Sequence, residues 1–342
     1  MIDVRLAGAI ACACLTAALC GPVRAQDAAG VQACTGIDDD AVRLRCYDRA
    51  AGRRARADRR DTPAPEGSPP AGGDRAAPDT TVLDRLWHLG SDEVLGLHVH
   101  EANFLLPARW TSAVNERPLS PELGSFSQGS LENAEAKYRF SVKSRLWQGL
   151  ANGRLDVWVA YSQQAQWQLY RASGPFRAID HQPEIMALSR SDAQFLGNRL
   201  RYVNVGVSHH SNGRGGVESR SWNRLYAQFG FTRGDDLALQ IRPWIRLAEL
   251  ERRDGNPDIV DRYGAGDATV YVSAGRHAFE FTLRAQPSLR DPRGAVQVDW
   301  SYPLYRQIRA YVQLFHGHGE SLIDYNHRQT AVGAGLALIG WD

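Results

Sequence analysis

Residues 203–231 read VNVGVSHHSNGRGGVESRSWNRLYAQFGF, and the pattern of this stretch decides the fold expected for the whole chain. Apolar residues alternate with other residues on both sides of a glycine-rich centre. Side chains two positions apart on a β-strand point to the same face, so the alternation predicts two strands that each have one apolar face. Glycine adopts the backbone conformations that tight turns require, so the centre predicts the turn of a β-hairpin.

Three polar residues extend the apolar faces of this predicted hairpin. His209 and Ser211 follow the valines of the first strand, and Asn223 precedes the apolar residues of the second. If His209 pairs with Asn223, the hairpin is centred on Gly216, because 216 is the mean of their residue numbers. Serine hydrolysis needs a hydroxyl, a base and a group that orients the base. The hairpin predicts these roles for Ser211, His209 and Asn223 respectively; ordinary polar residues at a strand end are the alternative.

The same alternation recurs along the rest of the chain and predicts an all-β fold. The predicted strands are 95–105, 134–146, 154–163, 182–190, 199–211, 220–231, 236–247, 264–275, 278–288, 294–302, 306–316 and 328–339. An even number of strands of about ten residues is typical of a closed antiparallel transmembrane barrel, whose polar side chains fill the lumen. A soluble β-sandwich is the alternative. Pro243 predicts a bulge or local bend, because proline cannot donate to the ladder.

Composition limits the class of protein only partly. The 342 residues carry a net charge of +2 at pH 7, which gives no bulk attraction to nucleic acid. The mean hydropathy of −0.39 resembles that of a soluble protein. Transmembrane barrels have similar averages, however, because their strands alternate apolar and polar residues. The chain after its first residues has no apolar run as long as the ~18 residues that a transmembrane helix needs.

The first 25 residues predict a signal peptide for export. Arg5 precedes an apolar run over residues 6–19, and residues 23–25 offer small side chains for cleavage. Export places the mature chain in an oxidising compartment. We predict an N-terminal extension over residues 26–81 that precedes a barrel domain over residues 82–342.

The extension contains the two cysteines that remain after the signal is removed. Cys34 and Cys46 most simply form one disulfide in an exported chain, and two unpaired thiols are the alternative. Residues 51–80 are rich in Arg, Asp, Pro, Gly and Ala and have no apolar periodicity. They predict a disordered linker between the disulfide-containing segment and the barrel.

The turn of the first hairpin offers oxygen ligands. Arg214, Glu218 and Ser219 provide a carbonyl, a carboxylate and a hydroxyl, and such groups suit Ca²⁺. A solvated turn is the alternative.

The sequence resembles a known family. Residues 209–214, HHSNGR, with residues 219–226, SRSWNRLY, are similar to the signature of the bacterial outer-membrane phospholipase A family. The similarity runs from about residue 82 to the end. The further matching segments are LLP at 105–107, WQL at 167–169, PFR at 175–177, NPDI at 256–259, GESLIDYN at 319–326 and the Cys34…Cys46-Tyr47-Asp48 element.

The resemblance implies a twelve-stranded antiparallel transmembrane β-barrel in the bacterial outer membrane, with a short N-terminal periplasmic extension. It implies a calcium-dependent hydrolase with phospholipase A1, phospholipase A2 and lysophospholipase activity, which releases fatty acids from phospholipids and lysophospholipids. The catalytic groups would lie on the lipid-facing exterior, and dimerisation would activate the enzyme. A non-catalytic barrel such as a porin or adhesin is the alternative, and it leaves the residues of the hairpin unexplained.

The resemblance also implies roles for individual residues. Ser211, His209 and Asn223 would be the catalytic triad. The backbone N–H of Gly213, with a calcium-bound water, would stabilise the oxyanion. The implied calcium ligands are the carbonyl of Arg214, the hydroxyl of Ser219 and, in the active homodimer, Ser173 of the partner subunit. Gln163 would lie in the dimer interface.

Overall fold

The computed structural model describes residues 34–50, 81–248, 254–285 and 293–341. These residues belong to two units: residues 34–50, and the residues from 81 onward. The predicted signal peptide over residues 1–25 and the predicted linker over residues 51–80 lie outside the described residues.

The first unit is a helix tied to the residues before it. Helix α1 (Asp40–Ala50) begins after Asp39, whose carboxylate accepts a hydrogen bond of 2.9 Å from the backbone N–H of Val42. A disulfide joins Cys34 to Cys46, with the Cα atoms 5.6 Å apart. The side chain of Asp39 therefore caps the helix, and the disulfide fixes the preceding turn to it.

The second unit is a closed antiparallel barrel, and the predicted twelve-stranded fold is confirmed. Each strand pairs with the next, and the last pairs with the first, so the sheet has no free edge in the barrel wall. The strands are β1 (Asn103–Thr111), β2 (Ala134–Gly149), β3 (Leu155–Trp167), β4 (Phe176–Arg190), β5 (Asn198–Ser211), β6 (Ser221–Arg233), β7 (Leu237–Leu247), β8 (Gly266–Ala274), β9 (His277–Ala285), β10 (Gly294–Tyr305), β11 (Ile308–His318) and β12 (Arg328–Leu338).

Shorter elements are not part of this wall. Helix α2 (Val82–Trp87) precedes β1, and helix α3 (Ile259–Tyr263) lies between β7 and β8. Four more segments are two-residue strands: His98–Val99 pairs with β2, Gln194–Phe195 pairs with β5, and Leu119–Ser120 pairs with Gly124–Ser125. The tight connection Leu150–Gly153 and the 3₁₀ turn Gly216–Glu218 complete the set. No helix in the described ranges is long and apolar enough to cross a membrane.

The bounds of the first strand differ from the prediction. The predicted strand 95–105 ends before Pro107, whereas β1 continues through Pro107 to Thr111. The register shifts between Leu106 and Arg109 on the β2 side and between Ala334 and Leu336 on the β12 side. Proline has no N–H to donate, and these bulges let the strand continue past it. Pro243 behaves differently: the pairs on its two sides, Tyr226 with Trp244 and Phe229 with Ile241, share one register, so the strand has no bulge there. The ladder with β6 nevertheless lacks direct pairs at Arg242 and Pro243, and the local bend stays a prediction.

The barrel wall has an apolar outer face. Large apolar side chains that point outward remain exposed on most strands, and they include Ile185, Val205, Val207, Leu225, Ile245, Leu283, Val296, Leu314, Val332 and Leu336. An exposed apolar surface of this extent is typical of a face that contacts lipid. The residues between them point inward and are mostly buried.

The lumen contains a network of charged side chains. Arg109 pairs with both Glu135 and Glu320, and Arg177 pairs with Glu135 at 3.1 Å and with Asp324 at 2.5 Å. All five side chains are buried. Glu320 and Asp324 belong to the loop between β11 and β12, so the network holds this loop against the barrel wall. Removing one partner would leave a buried charge uncompensated, at a cost of about 3–5 kcal/mol.

Two loop carboxylates in this network have lowered pKa values. Burial by itself raises the pKa of Glu320, but Arg109 and Lys137 outweigh this effect and lower it to about 2. Burial also opposes ionisation of Asp324, and the neighbouring Arg177 lowers its pKa below the ordinary value. Both carboxylates are therefore ionised at neutral pH and stabilise the folded barrel through their arginine partners.

Helix α2 packs at one end of the barrel, and the turn between β5 and β6 lies at the other end. The N–H of Val82 donates to the carbonyl of Asp235 at 3.2 Å, and Asp235 lies in the turn that follows β6. Trp87 is buried, with its ring 6.0 Å from that of Trp158, and the ammonium of Lys143 lies 3.8 Å from its centroid. The helix thus fills one end of the lumen, while the turn over residues 212–220 stands at the other.

Candidate active site

The hairpin of β5 and β6 has the register predicted from its sequence. Asn223 lies directly opposite His209, and Ser221 lies opposite Ser211. Gly216 is midway between the paired residues and has a φ of +60°, in the left-handed region that glycine adopts readily. The spacing of the polar residues therefore brings a histidine, a serine and an asparagine to the same end of two paired strands.

These side chains lie on the outer face of the barrel. His209 continues the outward series of Val205 and Val207, which are exposed by 48% and 41%. His210 faces the lumen, where it is buried and accepts a hydrogen bond of 3.3 Å from the indole of Trp222. His210 therefore points away from Ser211, and His209 is the histidine that shares its face.

The contact between His209 and Asn223 fixes the form of the imidazole. Nδ1 of His209 lies 2.8 Å from Oδ1 of Asn223. Because a carbonyl oxygen only accepts, Nδ1 carries the proton and Nε2 remains an acceptor. A neutral imidazole with a free acceptor nitrogen can take a proton from a hydroxyl.

Ser211 lies two residues from His209 on the same face of β5. Such neighbours have Cβ atoms roughly 6–7 Å apart by strand geometry, which is within reach of an imidazole side chain. Among the residues that the structure describes, no hydrogen bond joins the Ser211 hydroxyl to the His209 ring. Catalytic hydrogen bonds are often loose before substrate binds, so the arrangement is compatible with proton transfer in a substrate complex.

The turn between the strands is organised by Asn212, which the sequence analysis did not identify. Its side-chain oxygen accepts hydrogen bonds from the backbone N–H groups of Arg214 at 3.3 Å and Arg220 at 3.0 Å. Its amide donates to the carbonyl of Glu218 at 2.7 Å. Asparagine before glycine is a signal for such turn-stabilising bonds and could have indicated this role. The side chain holds both ends of the turn.

Gly213 lies exposed beside Ser211 and has a φ of +64°. In the described ranges its backbone N–H has no hydrogen-bond acceptor. A residue with a Cβ would be strained in this conformation. Glycine therefore allows the chain to present an unused amide donor next to Ser211.

The turn also contains oxygen atoms that suit a calcium ion. Within the described residues, neither the carbonyl of Arg214 nor the hydroxyl of Ser219 accepts or donates a hydrogen bond. Calcium is a hard cation that takes six to eight oxygen ligands, carbonyls and hydroxyls among them. The chemistry of these two donors fits calcium, although two donors are only part of a complete coordination shell.

The acidic residues near the turn are engaged by arginines. Glu218 accepts from the guanidinium of Arg214 at 2.7 Å, and both oxygens of Asp254 accept from Arg246 at 2.8 Å. In the part of the chain that the structure describes, no group of three or more His, Cys, Asp or Glu residues could hold a metal. A calcium site at this turn would therefore rely on uncharged oxygens.

Arg220 also stabilises the turn between β5 and β6. The guanidinium of Arg220 donates to the carbonyls of Val217 at 3.0 Å and Ser219 at 2.8 Å. Burial lowers the pKa of Arg220. The first residue of β6 is fixed by Asn256, whose side-chain oxygen accepts from the N–H of Ser221 at 3.0 Å.

Comparison with known proteins decides the family. The family model for phospholipase A1 matches residues 85–338 of this chain. The chain belongs to the phospholipase A1 family.

Individual relatives agree with this assignment. Phospholipase A1 of Klebsiella pneumoniae is 35% identical over 247 residues, which cover 71% of this chain and 82% of that protein. The solved structure of outer membrane phospholipase A from Escherichia coli aligns with a TM-score of 0.64 and 30% identity, over 71% of this chain and 98% of that one. A structure of the Salmonella typhi outer membrane phospholipase dimer with bound calcium aligns with a TM-score of 0.67 and 28% identity, over 78% and 100%.

These similarities establish the class and the location of the protein. It is a phospholipase of the bacterial outer membrane. Family membership sets aside the alternative of a non-catalytic porin or adhesin. It also accounts for the apolar outer face of the barrel, because that face contacts the bilayer.

Two residues with predicted roles lie outside the hairpin of β5 and β6: Gln163, for the dimer interface, and Ser173, as a calcium ligand. Gln163 is on β3 and pairs directly with His181 of β4, which in turn pairs with Ser211. Gln163 is therefore two strands away from Ser211 at the same height. Ser173 lies exposed in the loop between β3 and β4, with a φ of +61°.

The pairing of His181 with Ser211 is a feature that the sequence analysis missed. His181 is half-buried on β4, and its Nδ1 lies 2.8 Å from the hydroxyl of Tyr161. No local motif marks either residue. Their position beside Ser211 becomes apparent only from the strand pairing.

Proposed function

We propose that this phospholipase is a calcium-dependent serine hydrolase that cleaves acyl esters of phospholipids and lysophospholipids on the outside of its barrel. Ser211 is the nucleophile, His209 the base and Asn223 the orienting residue. The observation that carries the proposal is the 2.8 Å contact between His209 and Asn223 on the exposed apolar face that also bears Ser211. A site on this face meets its substrate directly from the bilayer.

The first half of the reaction forms an acyl-enzyme. The hydroxyl oxygen of Ser211 attacks the ester carbonyl carbon, and Nε2 of His209 takes the hydroxyl proton. When the tetrahedral intermediate collapses, the bond to the alcohol oxygen breaks and His209 returns the proton to that oxygen. The lysophospholipid leaves, and the fatty acyl group remains on Ser211.

The second half regenerates the enzyme. His209 takes a proton from water, whose oxygen attacks the acyl carbon, and then returns it to the oxygen of Ser211 as the fatty acid departs. Asn223 keeps Nδ1 protonated through both halves. Because Asn223 is neutral, it orients the imidazole but stabilises the imidazolium less than an aspartate would.

Negative charge on the carbonyl oxygen needs a donor in place before the reaction. The exposed N–H of Gly213 is available beside Ser211 for this purpose. One donor of this kind contributes about 10²–10³-fold to kcat in other acyl-transfer enzymes. Exclusion of water by the acyl chains strengthens the interaction, because the local dielectric constant falls.

Calcium is the proposed cofactor. The carbonyl of Arg214 and the hydroxyl of Ser219 would hold it, together with Ser173 of the partner subunit. When bound, calcium supplies positive charge beside the developing oxyanion. The calcium-bound dimer of the Salmonella typhi relative supports this part of the proposal.

Dimerisation through the wall that contains Gln163 is the proposed means of activation. Gln163 is a polar side chain on an outer face that is mostly apolar, so pairing with a second copy would remove it from lipid. Its position two strands from Ser211 would place the partner next to the active site. Activity would then depend on the concentration of enzyme in the membrane.

The experiment compares hydrolysis of micellar lysophospholipid by refolded protein with Ca²⁺, with EDTA, and as Ser211→Ala. We expect activity only in the first case. Ser221→Ala is the matched control, because Ser221 lies directly opposite Ser211, and it should retain activity. Hydrolysis by Ser211→Ala would refute the nucleophile, and hydrolysis in EDTA would refute the calcium requirement.

A further inference from the structure

His181 stands directly beside the proposed nucleophile. It is paired with Ser211 across β4 and β5, and it is half-buried on the same outer face. Directly paired residues of antiparallel strands have Cα atoms about 4.5–5.5 Å apart. A substrate carbonyl in contact with Ser211 would therefore also lie within reach of the His181 side chain.

The imidazole of His181 points toward the backbone of Gly213. A Cβ atom placed on Gly213 would lie 3.5 Å from Cδ2 and 3.6 Å from Nε2 of His181. This edge of the ring thus borders the residue whose N–H is the proposed oxyanion donor. Among the described residues, Nε2 has no hydrogen-bond partner.

The side chain of Tyr161 contacts the other ring nitrogen of His181. Its hydroxyl is 2.8 Å from Nδ1, and the two rings are stacked with centroids 6.3 Å apart. A phenol is a better donor than a neutral imidazole, and an imidazole nitrogen is a good acceptor. When the hydroxyl donates to Nδ1, the neutral ring carries its proton on Nε2, next to Gly213.

We propose that the Nε2–H of His181 is a second oxyanion donor, which acts beside the N–H of Gly213, and that Tyr161 holds His181 in the required tautomer. This inference rests on the proposed serine hydrolase function. No proton is transferred from His181. The hydrogen bond to the substrate carbonyl strengthens as the oxygen gains charge, so it favours the transition state over bound substrate.

His209, on the same face, has a role that complements that of His181. His209 has its proton on Nδ1, held by Asn223, and can accept at Nε2. His181 receives a hydrogen bond at Nδ1, from Tyr161, and can donate at Nε2. The two histidines that flank Ser211 are therefore arranged as one acceptor and one donor, as attack by a hydroxyl on a carbonyl requires.

The test measures kcat and KM for His181→Phe, His181→Gln and Tyr161→Phe on micellar lysophospholipid with Ca²⁺. Phenylalanine removes the donor, and we expect kcat to fall about 10²-fold with little change in KM. Glutamine retains an N–H donor and should recover at least about a tenth of the wild-type kcat. Tyr161→Phe releases the tautomer and should lower kcat by a smaller factor, about 3–10-fold.

His316→Phe is the matched control. His316 is exposed on the outer face of β11, and its Nδ1 also contacts a hydroxyl, that of Thr330 at 2.7 Å. It is remote from β5 in the strand order and should retain the wild-type kcat. Circular dichroism of each variant checks that the barrel has formed.

Each outcome bears on one proposal. A wild-type kcat for His181→Phe would overturn the donor role, as would an equal loss in the phenylalanine and glutamine variants, which would attribute the loss to packing. A rise in KM alone would also overturn it. Ser211→Ala is measured in parallel: activity in that variant refutes the hydrolase mechanism itself, whereas its inactivity together with an unaffected His181→Phe refutes only the role of His181.

Discussion

Replacing Asn223 by alanine removes the group that orients the proposed catalytic base. The hydrogen bond that is lost is 2.8 Å long and joins the imidazole to an uncharged amide. A neutral hydrogen bond contributes about 1 kcal/mol net, which corresponds to roughly five-fold in rate. Without Asn223 the imidazole can also hold its proton on Nε2, the form that cannot accept from Ser211. Loss of a charged orienting residue costs about 10⁴-fold in serine proteases, and a neutral one should contribute less.

We therefore expect Asn223→Ala to lower kcat by about 10–100-fold, a range set by one neutral hydrogen bond together with partial loss of the productive tautomer. KM should change little, because Asn223 contacts His209 rather than the substrate. The assay is release of fatty acid from lysophospholipid micelles at saturating Ca²⁺. Asn198→Ala, at the other end of β5, is the control. An undiminished kcat for Asn223→Ala, or an equal loss in the control, would refute the reasoning.

Three further predictions concern the turn, the lumen and the helix that fills it. Gly213→Ala should lower kcat by about ten-fold, because alanine is strained at positive φ. Gly215→Ala is the control and should leave kcat unchanged, because the space around its Cβ position is open. Equal activities of the two variants would contradict this prediction. Glu320→Gln should lower the free energy of unfolding by about 3–5 kcal/mol in urea titrations, and the exposed Glu122→Gln should not. The pKa of Glu320 is lowered from 4.5 to about 2, so its stabilising effect should be complete above pH 4.5 and disappear as the pH falls through about 2. If the difference in free energy of unfolding between wild type and Glu320→Gln did not change with pH, this prediction would be wrong. Trp87→Ala should lower the free energy of unfolding by about 3–5 kcal/mol, because it leaves a cavity. Trp147→Ala, on the exposed surface, should lower it much less. A similar loss of stability in both variants would show that α2 is not a structural element of the lumen.

The sequence predicted the hairpin well because its information is local. The alternation of side chains fixes which face each residue occupies, and the turn fixes the register. His209, Ser211 and Asn223 therefore lie on the outer face, with His209 opposite Asn223, as expected from the spacing. The count of strands could be predicted for the same reason, since each strand has its own alternation.

The neighbour of the hairpin could not be predicted in this way. The pairs between β4 and β5, such as His181 with Ser211, are centred on residue 196. The turn that joins these strands pairs Gln194 with Arg199, so the register of the turn differs from that of the strands by one residue. A one-residue shift in register exchanges the two faces of a strand. No feature of the sequence specifies this offset, so the position of His181 beside Ser211 had to come from the structure.

Contacts between distant segments were also beyond the sequence. The charge network in the lumen joins Arg109, Glu135 and Arg177 to carboxylates of the last loop, more than a hundred residues away from each. Alternation indicates that such side chains face inward, but it does not indicate their partners. The continuation of β1 through Pro107 likewise depends on bulges in the pairing with both neighbouring strands.

The central claim is that Ser211 is the nucleophile on the outer face of the barrel. The most direct measurement is reaction of the refolded protein with an alkyl sulfonyl fluoride in Ca²⁺-containing micelles, followed by mass spectrometry of the modified peptide. We predict one sulfonyl group on Ser211, at a rate that falls in His209→Phe and with EDTA. Modification of another residue, or equal modification of Ser211 in the presence and absence of His209, would contradict the account.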